Sequence, residues 1–399
     1  MSILVINAGS SSLKFALYPS GGETELATGL VDWTDPARGA EFVVQTAEGR
    51  ERRSPFGSSD HRSATSLAIR SLFETESPAV GRLADVEAVG HRVVHGGSTF
   101  RESVLIDRSV MDELRRLSEL APLHNPPALE AIEHAQEVLP AILHVAVFDT
   151  SYYAHVPEFR VTYPVPYDWT VDWDVRKFGF HGISHAYLAS RAAEMLVETG
   201  SKAMRVVSCH LGNGCSATAS VGGKAVQTTM GYTPLDGLMM GSRCGSIDPG
   251  VILHLIRKKG LTADEVDQAL NFRSGLKGVS GVSNDYRAVS QAAAAGNERA
   301  KLALAIYADR VRSAVGALAV SMGGIDALVF SAGVGEHSSS LRAEVCRGLE
   351  CLGVKIDPQA NADLHPDADL SGDGRVKVLT IATREDRMIA RETRAMIHL

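Results

Sequence analysis

A chain of 399 residues, 45% hydrophobic and 22% charged, has the make-up of an ordinary soluble globular protein and enough apolar side chains for two or three domains. A formal net charge of −7 and a pI of about 6.1 argue against nucleic acid or an anionic membrane as the main partner. No basic segment precedes an apolar stretch at the N-terminus, no apolar run reaches about eighteen residues, and the five cysteines (209, 215, 244, 346 and 351) form no C-x-x-C pair, so a reduced, cytoplasmic setting without a membrane partner is expected.

The first elements form a hairpin. Ile3 to Ile6 is apolar, Asn7-Ala-Gly-Ser-Ser-Ser12 is a small polar turn, and Leu13 to Tyr18 resumes strand character. Backbone N–H groups and hydroxyls at such a tip, with Lys14 beside them, suit a phosphate; a plain β-turn is the alternative. The turn leads into a strand and has no G-x-x-x-x-G-K-[ST], so it is not a P-loop. Residues 20–60 read as further strands, with an exposed excursion around Arg50–Asp60. Helical spacing runs from His61 to Glu76, and Val86 to Val94 is a buried-type strand ending in His95-Gly96-Gly97. Asp107 is positioned to cap a helix through Leu120, and Asn125 with Pro126 and Pro127 to cap one reaching about Leu139. Ile142 to Phe148 is a strand that stops at Asp149-Thr150, and the alternation of strands and helices implies an α/β architecture.

The second half repeats the pattern. Ser184 is expected to cap a helix ending near Gly200, and Val206–His210, Leu211-Gly-Asn-Gly214 and Cys215–Val221 again read strand, small turn, strand, followed by Lys224–Thr229. Two α/β halves, each opening on a phosphate-type hairpin, suggest a duplicated fold that holds a nucleotide in the cleft between them. Helices follow at 248–259, 262–270 (with Thr262 and Glu265 as a capping box) and about 297–322. Asp326 to Ser331 is a strand running into Ala332-Gly-Val-Gly-Glu336. A helix near 338–352, a strand at 376–382 and a helix from about 385 close the chain, with residues 363–374 as the expected mobile loop.

Polar clusters sit at the strand ends, where ligand groups gather in open α/β sheets: Gly90-His-Arg-Val-Val-His-Gly-Gly97, Phe148-Asp-Thr150, Lys177-Phe-Gly-Phe-His-Gly182, Met240-Gly-Ser-Arg-Cys-Gly245 and Thr383-Arg-Glu-Asp386. Singly each has a structural explanation; together they supply arginines, a histidine, carboxylates and glycine-rich turns, the inventory of phosphoryl transfer. His91/His95 and His181/His185 share i, i+4 spacing, but the first pair lies on a strand and neither has a third ligand, so a zinc site is rejected.

These segments resemble the motifs of acetate kinases, the acetokinase family. The matching segments are Ile6-Asn-Ala-Gly-Ser-Ser-Ser-Leu-Lys14, Gly90-His-Arg-Val-Val-His-Gly-Gly97, Asn125-Pro-Pro127, Phe148-Asp-Thr150, Gly179-Phe-His-Gly182, His210-Leu-Gly-Asn-Gly214, Arg243 with Ile247-Asp-Pro249, and Ala332-Gly-Val-Gly-Glu336. They run in order over essentially the whole chain.

The resemblance implies an α/β, duplicated actin-like two-domain fold of the acetate and sugar kinase superfamily, with the active site in the interdomain cleft. Residues 1–150 plus 386–399 would form an N-terminal acyl/phosphate domain with a returning helix, and residues 151–385 a C-terminal nucleotide-binding domain. The implied reaction is reversible in-line transfer of the ATP γ-phosphoryl group to acetate, giving acetyl phosphate and ADP, with Mg²⁺ (or Mn²⁺) in a homodimer. Arg92 and Arg243 would flank the phosphoryl group and hold the carboxylate, His181 would donate to the same group, and Asp149 and Glu385 match carboxylates near the metal, with Asn7 beside it. Asn7, Ser10, Ser12 and Lys14, with His210, Gly212, Asn213 and Gly214, would contact phosphates. Asp285, Tyr286, Arg287, Gly333 and Val334 match the segments that sandwich the adenosine, where His337 replaces a common asparagine. Val94, Leu123, Phe180 and Pro234 match the acyl pocket, and a valine at 94 favours acetate over propionate. The nearest alternative is a propionate or butyrate kinase; a more distant one is an actin-like ATPase acting as chaperone or filament.

Overall fold

The computed structural model describes residues 1–9, 11–33, 40–72, 85–119, 125–196, 204–362 and 366–398. The chain divides into two compact units, Met1–Ala154 with Arg384–Leu399, and His155–Thr383.

The first unit is built on an eight-stranded sheet: β1 (Ser2–Ala8), β2 (Ser12–Pro19), β3 (Ala27–Asp32), β4 (Ala40–Thr46), β5 (Glu51–Phe56), β6 (Val86–Val93), β7 (Val104–Leu105) and β8 (Leu143–Phe148). Its order is β5-β4-β3-β2-β1-β6-β8-β7. Strands β1 to β5 form an antiparallel meander, β6 and β8 run parallel to β1, and β7 pairs antiparallel with β8. Every residue of β1 is buried, as expected for a strand covered on both faces. Leu4, Ile6 and Val89 share a core with Ala64 and Ala68 of the helix His61–Ser71 and Ala131 and Ala135 of the helix Asn125–Val138. Gly90 points to the other face, where the helix Glu385–Ile397 lies. A Cβ there would stand 2.2 Å from Thr393 Oγ1 and 2.9 Å from Ile389 Cγ2, so only glycine admits the helix this close.

The second unit holds β9 (Arg205–Leu211), β10 (Cys215–Val221), β11 (Lys224–Thr228), β12 (Ala327–Ser331), β13 (Ala368–Asp369) and β14 (Lys377–Thr380), in the order β11-β10-β9-β12-β14-β13. Strands β9 to β11 are antiparallel, β12 and β14 are parallel to β9, and β13 is an antiparallel edge. This is the order and direction of β3-β2-β1-β6-β8-β7, so the two halves repeat one topology without repeating letters. In each sheet the parallel strands end along one edge, which brings their C-terminal residues side by side.

Two of the four expected caps fall where the residues place them. Asp107 accepts from Val110 N at the start of Arg108–Leu117, and Thr262 and Glu265 form the reciprocal box opening Ala263–Phe272. Two do not. Asn125 is already helical, and its side chain bonds the backbone of His95. Ser184 lies inside the helix Gly182–Met195; its hydroxyl meets His210 Nδ1 at 2.8 Å, and His181 holds the N-cap position without a side-chain cap. The short helices Glu158–Val161, Tyr167–Trp173 and Gly275–Ser280, and the helix Tyr286–Ala294, lie outside the elements expected from the sequence. The Arg50–Asp60 excursion contains the paired strand Glu51–Phe56. Of the expected loop at 363–374, residues 363–365 lie outside the described residues, and Ala368–Asp369 pairs with β14. The expected helical residues 73–76, 120 and 197–200 are likewise outside the described set.

Candidate active site

In the first unit, Asn7 at the end of β1, Arg92 near the end of β6 and Asp149 just after β8 are neighbours because those three strands are parallel and in register. Arg92 donates from Nη2 to Asp149 Oδ2 (2.7 Å) and from Nε to Asp149 Oδ1 (3.4 Å), a two-pronged grip on a carboxylate that is 1% exposed. Its Nη1 donates to Asn7 Oδ1 (3.1 Å) and lies 3.6 Å from Glu385 Oε2. Asn7 Nδ2 in turn donates to Glu385 Oε2 (3.3 Å) and Asp386 Oδ1 (3.5 Å). Burial opposes charge on Arg92, but Asp149 and Glu385 outweigh it and hold the guanidinium above its ordinary value. Asp386, absent from the sequence-based set, is pushed up to about 6 by burial and by Glu385, while Lys14 pulls it down. The loop after β6 is pinned by Asn125, which accepts from His95 N (3.1 Å) and donates to His95 O (3.0 Å). Thr150 Oγ1 accepts from Gly96 N (3.0 Å).

The hairpin is formed as expected, with Asn7 opposite Lys14 and Gly9 N donating to Ser12 O (2.8 Å). Lys14 is exposed and lines a cavity of about 360 Å³ with Asp386, Glu41 and Arg53. Val94 is 8% exposed just after β6. Ser10 and Leu123 lie outside the described residues.

In the second unit, His181 takes a left-handed backbone (φ +55°) at the start of Gly182–Met195, and its ring stacks on His210 with centroids 4.4 Å apart. Such a conformation costs a non-glycine residue about 1–2 kcal/mol and marks a side chain held by its surroundings. A Cβ on Gly214 would lie 3.3 Å from His181 Cε1 and Nε2 and 3.8 Å from Arg243 Nη1, so the histidine and the arginine both face this glycine. Arg243 Nη1 donates to Pro234 O (3.2 Å), and burial draws its pKa below the ordinary value. Phe180 is 1% exposed. Gly212 N donates to Gly214 O (3.0 Å), and Asn213 Oδ1 accepts from Asn284 Nδ2 (3.3 Å), which shapes the β9–β10 turn.

Gly214→Ala is expected to lower turnover about ten- to a hundredfold with thermal stability nearly unchanged, because its methyl would displace the facing groups by a few tenths of an ångström. Steady-state kinetics beside a melting curve check it; loss of fold at unchanged specific activity would contradict it.

Asp285 caps Tyr286–Ala294 by accepting from Arg287 N (2.8 Å) and also pairs with the Arg287 guanidinium (3.0 Å). Gly333, Val334 and His337 lie on the helix Ala332–His337, where His337 Nδ1 bonds Gly333 O (2.9 Å). That turn is anchored by fully buried Arg342, which donates to Gly335 O (2.8 Å) and Glu336 O (2.9 Å). Glu336 Oε1 accepts from Thr383 N (2.9 Å) and Oγ1 (3.0 Å). Arg342 carries no motif signal of its own, and Thr383 appears only within the Thr383–Asp386 cluster; the fold reveals their part.

Among the described residues no group of three or more His, Cys, Asp or Glu side chains is arranged to cage a metal, and no helix is long and apolar enough to cross a membrane. Of the expected pair, Asn7 Oδ1 accepts from Arg92 and Glu385 Oε2 accepts from Asn7 Nδ2, so both present oxygen atoms. This fits Mg²⁺, which keeps waters and takes one or two carboxylates together with substrate phosphates.

A family model described as the acetokinase family matches residues 2–391. An acetate kinase of a Cyanothece species is 46% identical over 399 residues, covering 98% of this chain and 97% of that protein. The acetate kinase of Methanosarcina acetivorans is 43% identical over 395 residues, covering 99% and 96%. Among solved structures, a propionate kinase from Francisella tularensis superposes with a TM-score of 0.91 at 37% identity, and the acetate kinase of Porphyromonas gingivalis with 0.89 at 37% identity, each covering 99% of both chains.

Proposed function

The chain belongs to the acetokinase family, phosphotransferases with a carboxyl group as acceptor, and from that premise we propose how its residues carry the ATP γ-phosphoryl group to acetate and back. The observation that carries the reading is Arg92, a guanidinium near the end of a parallel strand, gripped by Asp149 and steadied by Asn7 and by Glu385 at the start of the C-terminal helix. Held this way, it presents a fixed positive charge to an anion without searching rotamers.

One oxygen of acetate attacks the γ-phosphorus in line, the bond to the bridging oxygen of ADP breaks, and ADP leaves with that oxygen. Acetate is ionised at neutral pH, so no general base is needed. Asp149 is committed to Arg92 and acts by orienting it. Arg92 and Arg243 flank the transferred group, and His181 bonds one of its oxygens. Charge spread over three equatorial oxygens is what such donors stabilise. Glu385, with Asn7, would hold Mg²⁺, which when bound would neutralise the negative charge of the phosphates. The Asn7–Lys14 hairpin and the His210–Gly214 turn contact phosphates, and the segments at 285–287 and 333–337 hold the adenosine.

We assign Val94, Phe180, Pro234 and Leu123 to the acyl methyl, as the family resemblance implies. One methylene is worth about 1–3 kcal/mol, so propionate reacts, but less well. Val94→Ala is expected to move the acetate-to-propionate ratio of kcat/KM toward propionate by about tenfold. An unchanged ratio would remove residue 94 from the pocket. The test of the function itself is ADP release measured with ATP, Mg²⁺ and acetate, propionate, butyrate or no acid. Turnover that depends on acetate and exceeds that with propionate several-fold is expected; turnover favouring a longer acid would move the substrate. ADP release indifferent to every acid would leave the actin-like ATPase alternative. We assign the chain a cytoplasmic homodimer. Sedimentation at the 42.6 kDa of a single chain would overturn the dimer.

A further inference from the structure

Behind His181 runs a buried chain of side chains that the phosphoryl-transfer reading does not use. His181 Nδ1 lies 2.9 Å from Ser216 Oγ, Ser216 Oγ lies 2.7 Å from His185 Nε2, and His185 Nδ1 lies 2.7 Å from Ser208 Oγ. Ser208 Oγ donates to the carbonyl of Thr218 (3.5 Å). Ser208, Ser216 and His185 are each no more than 1% exposed. Strands β9 and β10 and the helix Gly182–Met195 supply the members, so the chain is fixed by secondary structure rather than by loops.

The direction of these bonds follows from their far end. A carbonyl oxygen can only accept, so the Ser208 hydrogen points to Thr218 and the Ser208 oxygen must accept from His185. His185 Nδ1 therefore carries the hydrogen. Burial, with His210 adding, holds His185 well below its ordinary pKa, so the ring is neutral and its Nε2 has only a lone pair. That lone pair accepts the Ser216 hydroxyl hydrogen, which leaves the Ser216 oxygen to accept from His181 Nδ1. The outer nitrogen of His181, Nε2, is the one facing Gly214 on the side of Arg243.

We propose that Ser208, His185 and Ser216 are a positioning relay that fixes the hydrogen of neutral His181 on Nδ1, so that His181 donates to the phosphoryl group only as the doubly protonated imidazolium. The proposal deepens the reading above and rests on it for the contact between His181 and phosphate. It makes the histidine a cationic partner of Arg243 rather than a neutral donor, and it ties turnover to the protonation of one ring. Among the described residues, the titratable and charged groups shown at that ring are His210, stacked on it from β9, His185 on its own helix, and Arg243 across Gly214. The nearby charge is positive, so it opposes protonation, and a bound phosphate anion favours it.

The direct test is ¹⁵N NMR of histidine-labelled enzyme, with His181→Asn used to assign the signals. A neutral His181 carrying its hydrogen on Nδ1 is expected, and a hydrogen on Nε2 would overturn the relay. The kinetic test is kcat against pH. In the unaltered enzyme kcat should fall on the alkaline side as His181 loses its second proton, by up to on the order of a hundredfold for one lost donor. Ser216→Ala frees the neutral ring to carry its hydrogen on Nε2, so the fall should shrink to less than about threefold, and Ser216→Thr should restore it. An alkaline limb of the same size in Ser216→Ala would refute the proposal. If the alanine variant does not fold, the NMR result on the unaltered enzyme decides. If acetate-dependent turnover is absent altogether, the functional reading fails while the tautomer measurement still stands.

Discussion

Arg92→Ala is expected to lower turnover by roughly a thousandfold or more while nucleotide affinity stays within a few-fold, since the guanidinium acts on the group in flight rather than on bound ATP. The same substitution will also cost stability, and the two effects separate. Asp149 is 1% exposed and engages Arg92 through two bonds, so removing the arginine strips two charge-assisted bonds from a buried carboxylate. Breaking such a pair costs about 3–5 kcal/mol. Adding Asp149→Asn should recover much of that stability because the orphaned charge is gone, and it should recover none of the turnover. Urea unfolding beside kcat for the single and double variants checks both halves. Near-normal turnover in Arg92→Ala would sink the role given to this residue, and a stability rescue accompanied by activity would show that the loss was only structural.

Acid is expected to unfold this protein from below about pH 6.5, the ordinary histidine pKa. Burial holds His91 and His185 well below that value and His144 below it, and it pushes His95 down to about 4. The unfolded chain takes up protons near pH 6.5 that these rings refuse when folded, so their contribution is complete above that pH and is lost as pH falls. For His95 the window runs from 6.5 to about 4 and amounts to about 3 kcal/mol. Asp386, raised to about 6, works the other way, because the folded state takes its proton first, and by pH 4 it returns about 3 kcal/mol. That offsets roughly one histidine and leaves the others unopposed. Unfolding free energies between pH 7.5 and 5 should therefore fall by several kcal/mol. A slope nowhere exceeding one proton, about 1.4 kcal/mol per pH unit, would count against it.

The residues that were legible in the sequence share a trait: their signal is local or lies in a long motif. Asp107 and Thr262 cap helices because the backbone N–H groups they serve are three residues away. The strand–turn–strand rhythm at residues 1–18 repeats at 205–221, and the paired sheet orders explain why. Ser184 failed as a cap for the complementary reason. A hydroxyl at a helix start is also free to serve a distant partner, and His210 lies a strand away, beyond the reach of any local rule. Asn125 failed likewise, its amide bridging to His95 thirty positions earlier. His185 illustrates the limit most clearly. Its i, i+4 spacing from His181 suits a zinc pair but brings no third ligand, yet the spacing has a use: both rings reach Ser216 on β10, one through Nδ1 and one through Nε2. Nothing in the chain announces that a serine in a neighbouring strand joins them. Asp386 stands in the Thr383–Asp386 cluster with no role of its own, because its burial follows from the packing of the C-terminal helix, not from its neighbours in sequence.

That helix has a consequence for how the protein comes into being. The sheet of the first unit begins with Ser2, and the Gly90 face of that sheet is covered by Glu385–Ile397, whereas the second unit, His155–Thr383, is one uninterrupted stretch. A ribosome delivers residues in order, and domains generally fold as units as they emerge. The second unit can therefore complete itself while the first, although synthesised earlier, still has one apolar face exposed. The half that is made first finishes last, and its open face is the surface a chaperone would meet on the nascent chain.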